Sequence, residues 1–303
     1  MSERLIDPAV LMSIQSLELR ARGVVEGMLT GLHRSPYHGH SVEFSEYRHY
    51  VRGDDLRHLD WRLYARSDRY YVKQFEDETN LRCQLLVDTS RSMNFGSLAY
   101  SKSDYARTLA ATLGYFLTLQ RDAVGLLRFD AQIEATLPPR YRPGHLRRLL
   151  LMLEEPSQGV STDLTRPLEQ AAERMSRRGM LVLISDLLAP ADRLETQLGY
   201  LRSRGHDVIV FQILDPTELT FPFDEASLFE DMESGRELYV DPATARAEYT
   251  RKLQEHLGAI EQSCANLGID YRRVSTSEPL EGVLGDFVRF RGLTVSRSLR
   301  QRQ

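Results

Sequence analysis

Five side chains at three places in the sequence have the types and the order to hold a hard cation. The run Leu85-Leu86-Val87-Asp88-Thr89-Ser90-Arg91-Ser92-Met93 is an apolar stretch that delivers a carboxylate, Asp88, followed by hydroxyls at alternate positions, Ser90 and Ser92. A second apolar stretch ends in Ile184-Ser185-Asp186, and the loop Gly159-Val160-Ser161-Thr162-Asp163 supplies further hydroxyls ahead of a helical pattern. Carboxylate and hydroxyl oxygens are hard donors, suited to Mg²⁺ or Mn²⁺ with retained waters. Capping of helices or turns by Asp88 and Asp186 is the competing use of the same residues.

Those residues need strands to present them. Short apolar runs at 81–88, 123–130, 180–186, 206–215 and 269–275, with 132–138 paired to its predecessor through a turn near Asp130, read as strands. Helical patterns fill 99–120, 143–155, 165–177, 190–203, 242–267 and 279–290. Apolar strands separated by helices predict a mostly parallel, Rossmann-like sheet of six strands covered on both faces, over residues 81–292. In such open sheets ligands sit beyond the carboxyl ends of the strands, which is where Asp88 and Asp186 fall. An interruption at about 216–241 reads as a hairpin turning at Ser234-Gly235. Residues 1–80 differ in texture and are expected to form an appendage. It opens with one helix over 7–31, with Val10, Leu11, Ile14 and Leu17 on one face. Residues 293–303 are expected to be a frayed basic tail.

In order and position, Asp88, Ser90, Ser92, Thr162 and Asp186 resemble the metal-ion-dependent adhesion site of von Willebrand factor A domains, Asp-x-Ser-x-Ser, then Thr, then Asp. The resemblance implies a Mg²⁺ or Mn²⁺ ion held by these five. The Thr loop reads GVST where GGT is frequent, so Ser161 stands beside Thr162 as a ligand, with Thr162 favoured.

A charged, aromatic segment precedes the sheet. From Glu43 to Arg66 it holds five acids and five arginines, together with the only tryptophan, Trp61. Balanced charge among aromatics reads as a salt-bridged, stacked structural module, with a protein interface as the alternative. Glu43, Tyr47, Arg48, Tyr50, Gly53, Asp54, Asp55, Arg57, Asp60, Trp61, Arg62 and Arg66, with Lys73 in the following V-K-x-F-x-x-E run, resemble the signature of the bacterial domain-of-unknown-function 58 family. The resemblance spans roughly residues 35–290. It implies a von Willebrand factor A-like fold and a MoxR-type AAA+ ATPase as working partner, and with it a role in complex assembly or remodelling.

Composition excludes several other classes. Over 303 residues, 39 Lys and Arg against 43 Asp and Glu give a net charge of −4, too little for a bulk grip on nucleic acid. No stretch reaches the ~20 apolar residues of a membrane span, and acids at Glu3, Asp7 and Glu18 disfavour a signal peptide, so a cytoplasmic chain is expected. Cys83 and Cys264 are too few and too far apart for a disulfide framework or a zinc site. His33, His38, His40, His49 and His58 cluster without a cysteine or a second tight pair, as surface histidines do. There is no P-loop and no nucleophile elbow. Haloacid dehalogenase-like phosphatases resemble this chain in their strand-end aspartate, but Ser90 stands where their second Asp would be. The expectation is a non-enzymatic, metal-dependent protein-binding adaptor. The alternative is a metal-dependent hydrolase using Asp88 and Asp186.

Overall fold

A computed structural model describes residues 5–34, 47–49, 71–73, 81–156, 159, 165–175, 178–232 and 235–300. The chain divides into two compact units, Met1–Thr30 with Leu81–Gln303, and Gly31–Asn80. In the smaller unit, β1 (Tyr47–His49) pairs antiparallel with β2 (Tyr71–Lys73), setting Tyr47 opposite Lys73 and Arg48 opposite Val72. The other signature residues lie outside the described residues.

The larger unit opens with α1 (Pro8–Ser13) and α2 (Leu17–Arg34). These are two helices where the periodicity predicts one. Ile14 is extended (φ −73°, ψ 120°), and its carbonyl accepts a 2.5 Å hydrogen bond from Arg20 Nε, which holds the break. Leu11 and Leu17 are buried while Val10 is exposed. The structure also draws the domain boundary differently from the expected one at residue 80. Leu11, Ala21, Val24, Val25 and Met28 pack into the core of the α/β unit, so the first helices belong to it.

The elements that follow are β3 (Arg82–Asp88), α3 (Lys102–Leu119), β4 (Ala123–Phe129), β5 (Ile133–Arg140), α4 (His145–Glu154), α5 (Thr165–Arg174) and β6 (Met180–Ser185). Then come α6 (Ala191–Ser203), β7 (Asp207–Leu214), α7 (Pro216–Thr220), β8 (Ser227–Glu230), β9 (Glu237–Val240), α8 (Pro242–Asn266), β10 (Asp270–Ser275) and α9 (Leu280–Arg300). Six strands form one sheet in the order β10-β7-β6-β3-β4-β5, parallel throughout except for β5, which runs antiparallel to β4. This is the doubly wound architecture expected of a von Willebrand factor A-like fold.

Successive strand residues feed opposite faces, as the two-residue period of a strand requires. Cys83, Leu85 and Val87 of β3 face a core closed by α1, α2, α3, α4 and α9, whereas Leu86 faces one closed by α5, α6 and α8. Strands buried on both faces explain the near-continuous apolar runs of β3, β6 and β7. Leu109, Leu113 and Leu117 of α3 are fully buried, worth ~1.5–3 kcal/mol each against exposure.

The insertion carries a β8–β9 hairpin, in register from Ser227↔Val240 to Glu230↔Glu237, as its sequence predicts. The expected tail is helical instead, because α9 runs through Arg300. Past Gly292 the chain has no proline or glycine to stop a helix.

Candidate functional site at the strand carboxyl ends

From β3 the chain moves to β4 on one side, and after β5 it returns to place β6 on the other side of β3. The β3–β6 junction is therefore the point where connections leave in opposite directions, the place where open α/β sheets bind their ligands. Val87 is in register with Ile184, so Asp88 and Ser185 follow side by side. Ser185 Oγ donates to Asp88 Oδ2 at 2.5 Å, and the Ser90 backbone N–H donates to Asp88 Oδ1 at 2.9 Å. Asp88 is fully buried. Burial, then the nearby Asp186, push its carboxyl up to about 7, against the hydrogen bonds from Ser185 and Ser90.

Ser90 and Ser92 stand on either side of the entry to a 3₁₀ turn, Arg91–Asn94. Their Oγ atoms share a hydrogen bond at 3.1 Å. Adjacent ligands of an octahedral ion with ~2.0–2.1 Å bonds lie ~3 Å apart, so these two hydroxyls are spaced as neighbouring ligands would be. Asp88 Oδ1 accepts from the Ser90 N–H and Oδ2 from the Ser185 hydroxyl, and the Ser90 side chain also acts on the carboxylate. One buried carboxylate with two hydroxyls at this spacing fits a small hard cation. Among the described residues, no group of three or more His, Cys, Asp or Glu side chains is placed to hold a metal.

Thr162 and Ser161 lie outside the described residues. Gly159, at the head of their loop, packs directly on the Ser90 turn. A Cβ there would sit 2.5 Å from the Thr89 carbonyl oxygen and 3.0 Å from the Arg91 backbone nitrogen, so only glycine allows this approach.

Asp186 follows β6 and is fully buried, and its Oδ2 is engaged by Lys102 Nζ at 2.9 Å. The same ammonium donates to Glu218 Oε1 at 2.6 Å and lies 5.9 Å from the centroid of the Phe95 ring. Burial works against a charged Lys102, but Asp186 and Glu218 outweigh it and raise its pKa. Burial raises the Glu218 carboxyl despite Lys102. Glu218 is fixed by the cap of α7, where its Oε2 accepts from the Asp215 N–H at 2.8 Å. Asp215 in turn accepts from the Ser97 N–H at 2.8 Å and the Ser97 hydroxyl at 2.5 Å. Its carboxyl is lowered because these bonds, with those from Thr217, outweigh burial.

Lys102, Ser185 and Glu218 were not singled out by the motif. One signal was available: Lys102 is the first residue of α3, where the helix dipole favours an acid, so a lysine there needs a local anion.

A mostly parallel six-stranded sheet flanked by helices is a von Willebrand factor A-like architecture. The chain belongs to the family described as "Protein of unknown function DUF58", whose model matches residues 46–258. An uncharacterized protein of Mycobacterium bovis, Mb1516, is 30% identical over 290 residues, covering 94% of this chain and 89% of that protein. Rv1480 of Mycobacterium tuberculosis, also uncharacterized, matches with the same identity of 30% and the same coverage of 94% and 89%. Among solved structures, an aerotolerance-related membrane protein from Bacteroides fragilis aligns at TM-score 0.48 and 17% identity, over 68% of this chain and 96% of its own. BatB from Bacteroides thetaiotaomicron aligns at TM-score 0.48 and 15% identity, over 70% and 99%. No helix among the described residues is long and apolar enough to cross a membrane.

Proposed function

We propose that this chain is a non-enzymatic, metal-dependent protein-binding adaptor whose ion takes a carboxylate from a partner protein. The observation that carries the reading is the pairing of buried Asp88 with the Ser90 and Ser92 hydroxyls, 3.1 Å apart, at the β3–β6 switch point. Asp88, Ser90, Ser92 and Thr162 would hold Mg²⁺ or Mn²⁺, with Asp186 acting through water. A divalent ion facing one direct carboxylate stays under-neutralised, and an external Asp or Glu is a favourable further ligand. The signature resemblance makes a MoxR-type AAA+ ATPase the first partner to test, in the cytoplasm. A hydrolase would need a free base beside the ion, and Asp186 is already committed to Lys102.

Calorimetry with MgCl₂ and MnCl₂ tests the metal. Binding to the wild type and its loss in Asp88→Ala are expected. Capture of a purified MoxR-type ATPase, with and without EDTA, tests the partner. Association unchanged by EDTA and by both Asp88→Ala and Ser92→Ala would overturn the adaptor reading.

A further inference from the structure

The motif accounts for Asp88, Ser90, Ser92 and Asp186, but not for the fully buried ammonium ion bonded to Asp186. Lys102 Nζ joins three elements: α3, which carries it, the end of β6 through Asp186, and α7 through Glu218. Side-chain exposure is 0% for Lys102 and Asp186 and 17% for Glu218, so the contacts are nearly dry. A lysine could neutralise a strand-end carboxylate anywhere. Here it does so one residue past Ser185, whose hydroxyl is bonded to the candidate metal ligand Asp88.

We propose that Lys102 is a positioning residue that sets the charge of the metal site: by holding Asp186 and Glu218 it keeps Asp186 out of direct coordination and leaves Asp88 as the sole anionic ligand supplied by the strand ends. This deepens the adaptor reading and rests on it. The geometry gives the reason. An ammonium ion at 2.9 Å competes with a cation for the same Asp186 oxygen, and its charge repels a divalent ion in the same buried cluster. Glu218 acts in the opposite sense, since at 2.6 Å it offsets part of the Lys102 charge. The site therefore binds its ion more weakly than two free aspartates would, and it retains the positive excess that draws a carboxylate from outside.

The two residues give opposite signs, which a purely structural role would not. Calorimetric titration with MgCl₂ should show Lys102→Met binding about tenfold tighter than wild type, as loss of a nearby like charge requires. Glu218→Gln should bind about threefold more weakly, because Lys102 is then less neutralised. Circular dichroism melts identify the folded variants. If Lys102→Met does not fold, Glu218→Gln alone decides. Unchanged or tighter Mg²⁺ binding in Glu218→Gln, or weaker binding in a folded Lys102→Met, overturns the inference. If wild type binds no Mg²⁺, the metal reading falls and the charge-setting role falls with it, whereas binding in wild type with the wrong sign in a folded variant overturns the inference alone.

Discussion

Asp88 is held by hydrogen bonds of two origins, from Ser90 of its own turn and from Ser185 of the neighbouring strand. The Ser90 N–H contact forms with the Asp-x-Ser turn, whereas the Ser185 hydroxyl reaches across from β6 and fixes the carboxylate between the strand ends. A hydrogen bond to a charged group contributes ~1.5–3 kcal/mol. Ser185→Ala should therefore lower unfolding stability by about that amount, measured as a drop in urea midpoint at constant slope. An unchanged midpoint would mean that Asp88 is oriented by its own turn alone. The placing of Asp88 and Asp186 at the ends of β3 and β6, with Ser90 and Ser92 in the turn after β3, was legible because each apolar run stops at its carboxylate. Lys102 and Glu218 were not legible. Their meeting depends on how α3 and α7 lie against β6, and no local spacing encodes that.

At the scale of elements, α9 is fastened where β4 begins. Asp122, just ahead of β4, accepts from the Leu81 N–H at 3.3 Å and pairs with Arg291 of α9 at 2.7 Å. Burial raises the Asp122 carboxyl to about 6, against the pull of Arg291 and the Leu81 bond. The folded state thus keeps this proton to higher pH than the unfolded chain, whose ordinary carboxyl titrates near 3.8. The contribution to stability is greatest below pH 4 and falls as pH rises towards 6. Melting temperatures of wild type and Asp122→Asn across that window should diverge, the wild type losing more on going up. Parallel curves would remove Asp122 from the balance. The strands lay where the apolar runs placed them, within a residue or two, since burial on both faces leaves little freedom. The helix ends were less legible. The break at Ile14 rests on Arg20 reaching back to a carbonyl, and the extension of α9 to Arg300 follows a stretch whose polarity looks like a tail.

For the whole molecule, a ligand that binds only the folded form raises stability by mass action. Mg²⁺ at 100 times its dissociation constant would add ~2.7 kcal/mol. A thermal melt of wild type should shift upward with MgCl₂, and the shift should vanish in Asp88→Ala. Equal shifts in both would place the ion elsewhere on the surface.

The two outer strands also bear on how a partner can reach this molecule. β5 ends in Pro138-Pro139-Arg140, where two successive residues have no N–H to offer, and its pairing with β4 is broken by register shifts. β10, at the opposite margin, carries Arg272 and Arg273 in its middle. Missing donors on one margin and charged side chains on the other, the exposed Arg273 beside Arg272 held by Glu278 and Asp286, make each a poor template for an added strand. Main-chain zipping, the commonest way for an extended peptide to join an open sheet, is disfavoured at both margins. The adaptor proposed above would then meet its partner at the carboxyl ends of β3 and β6 and not along either margin of the sheet.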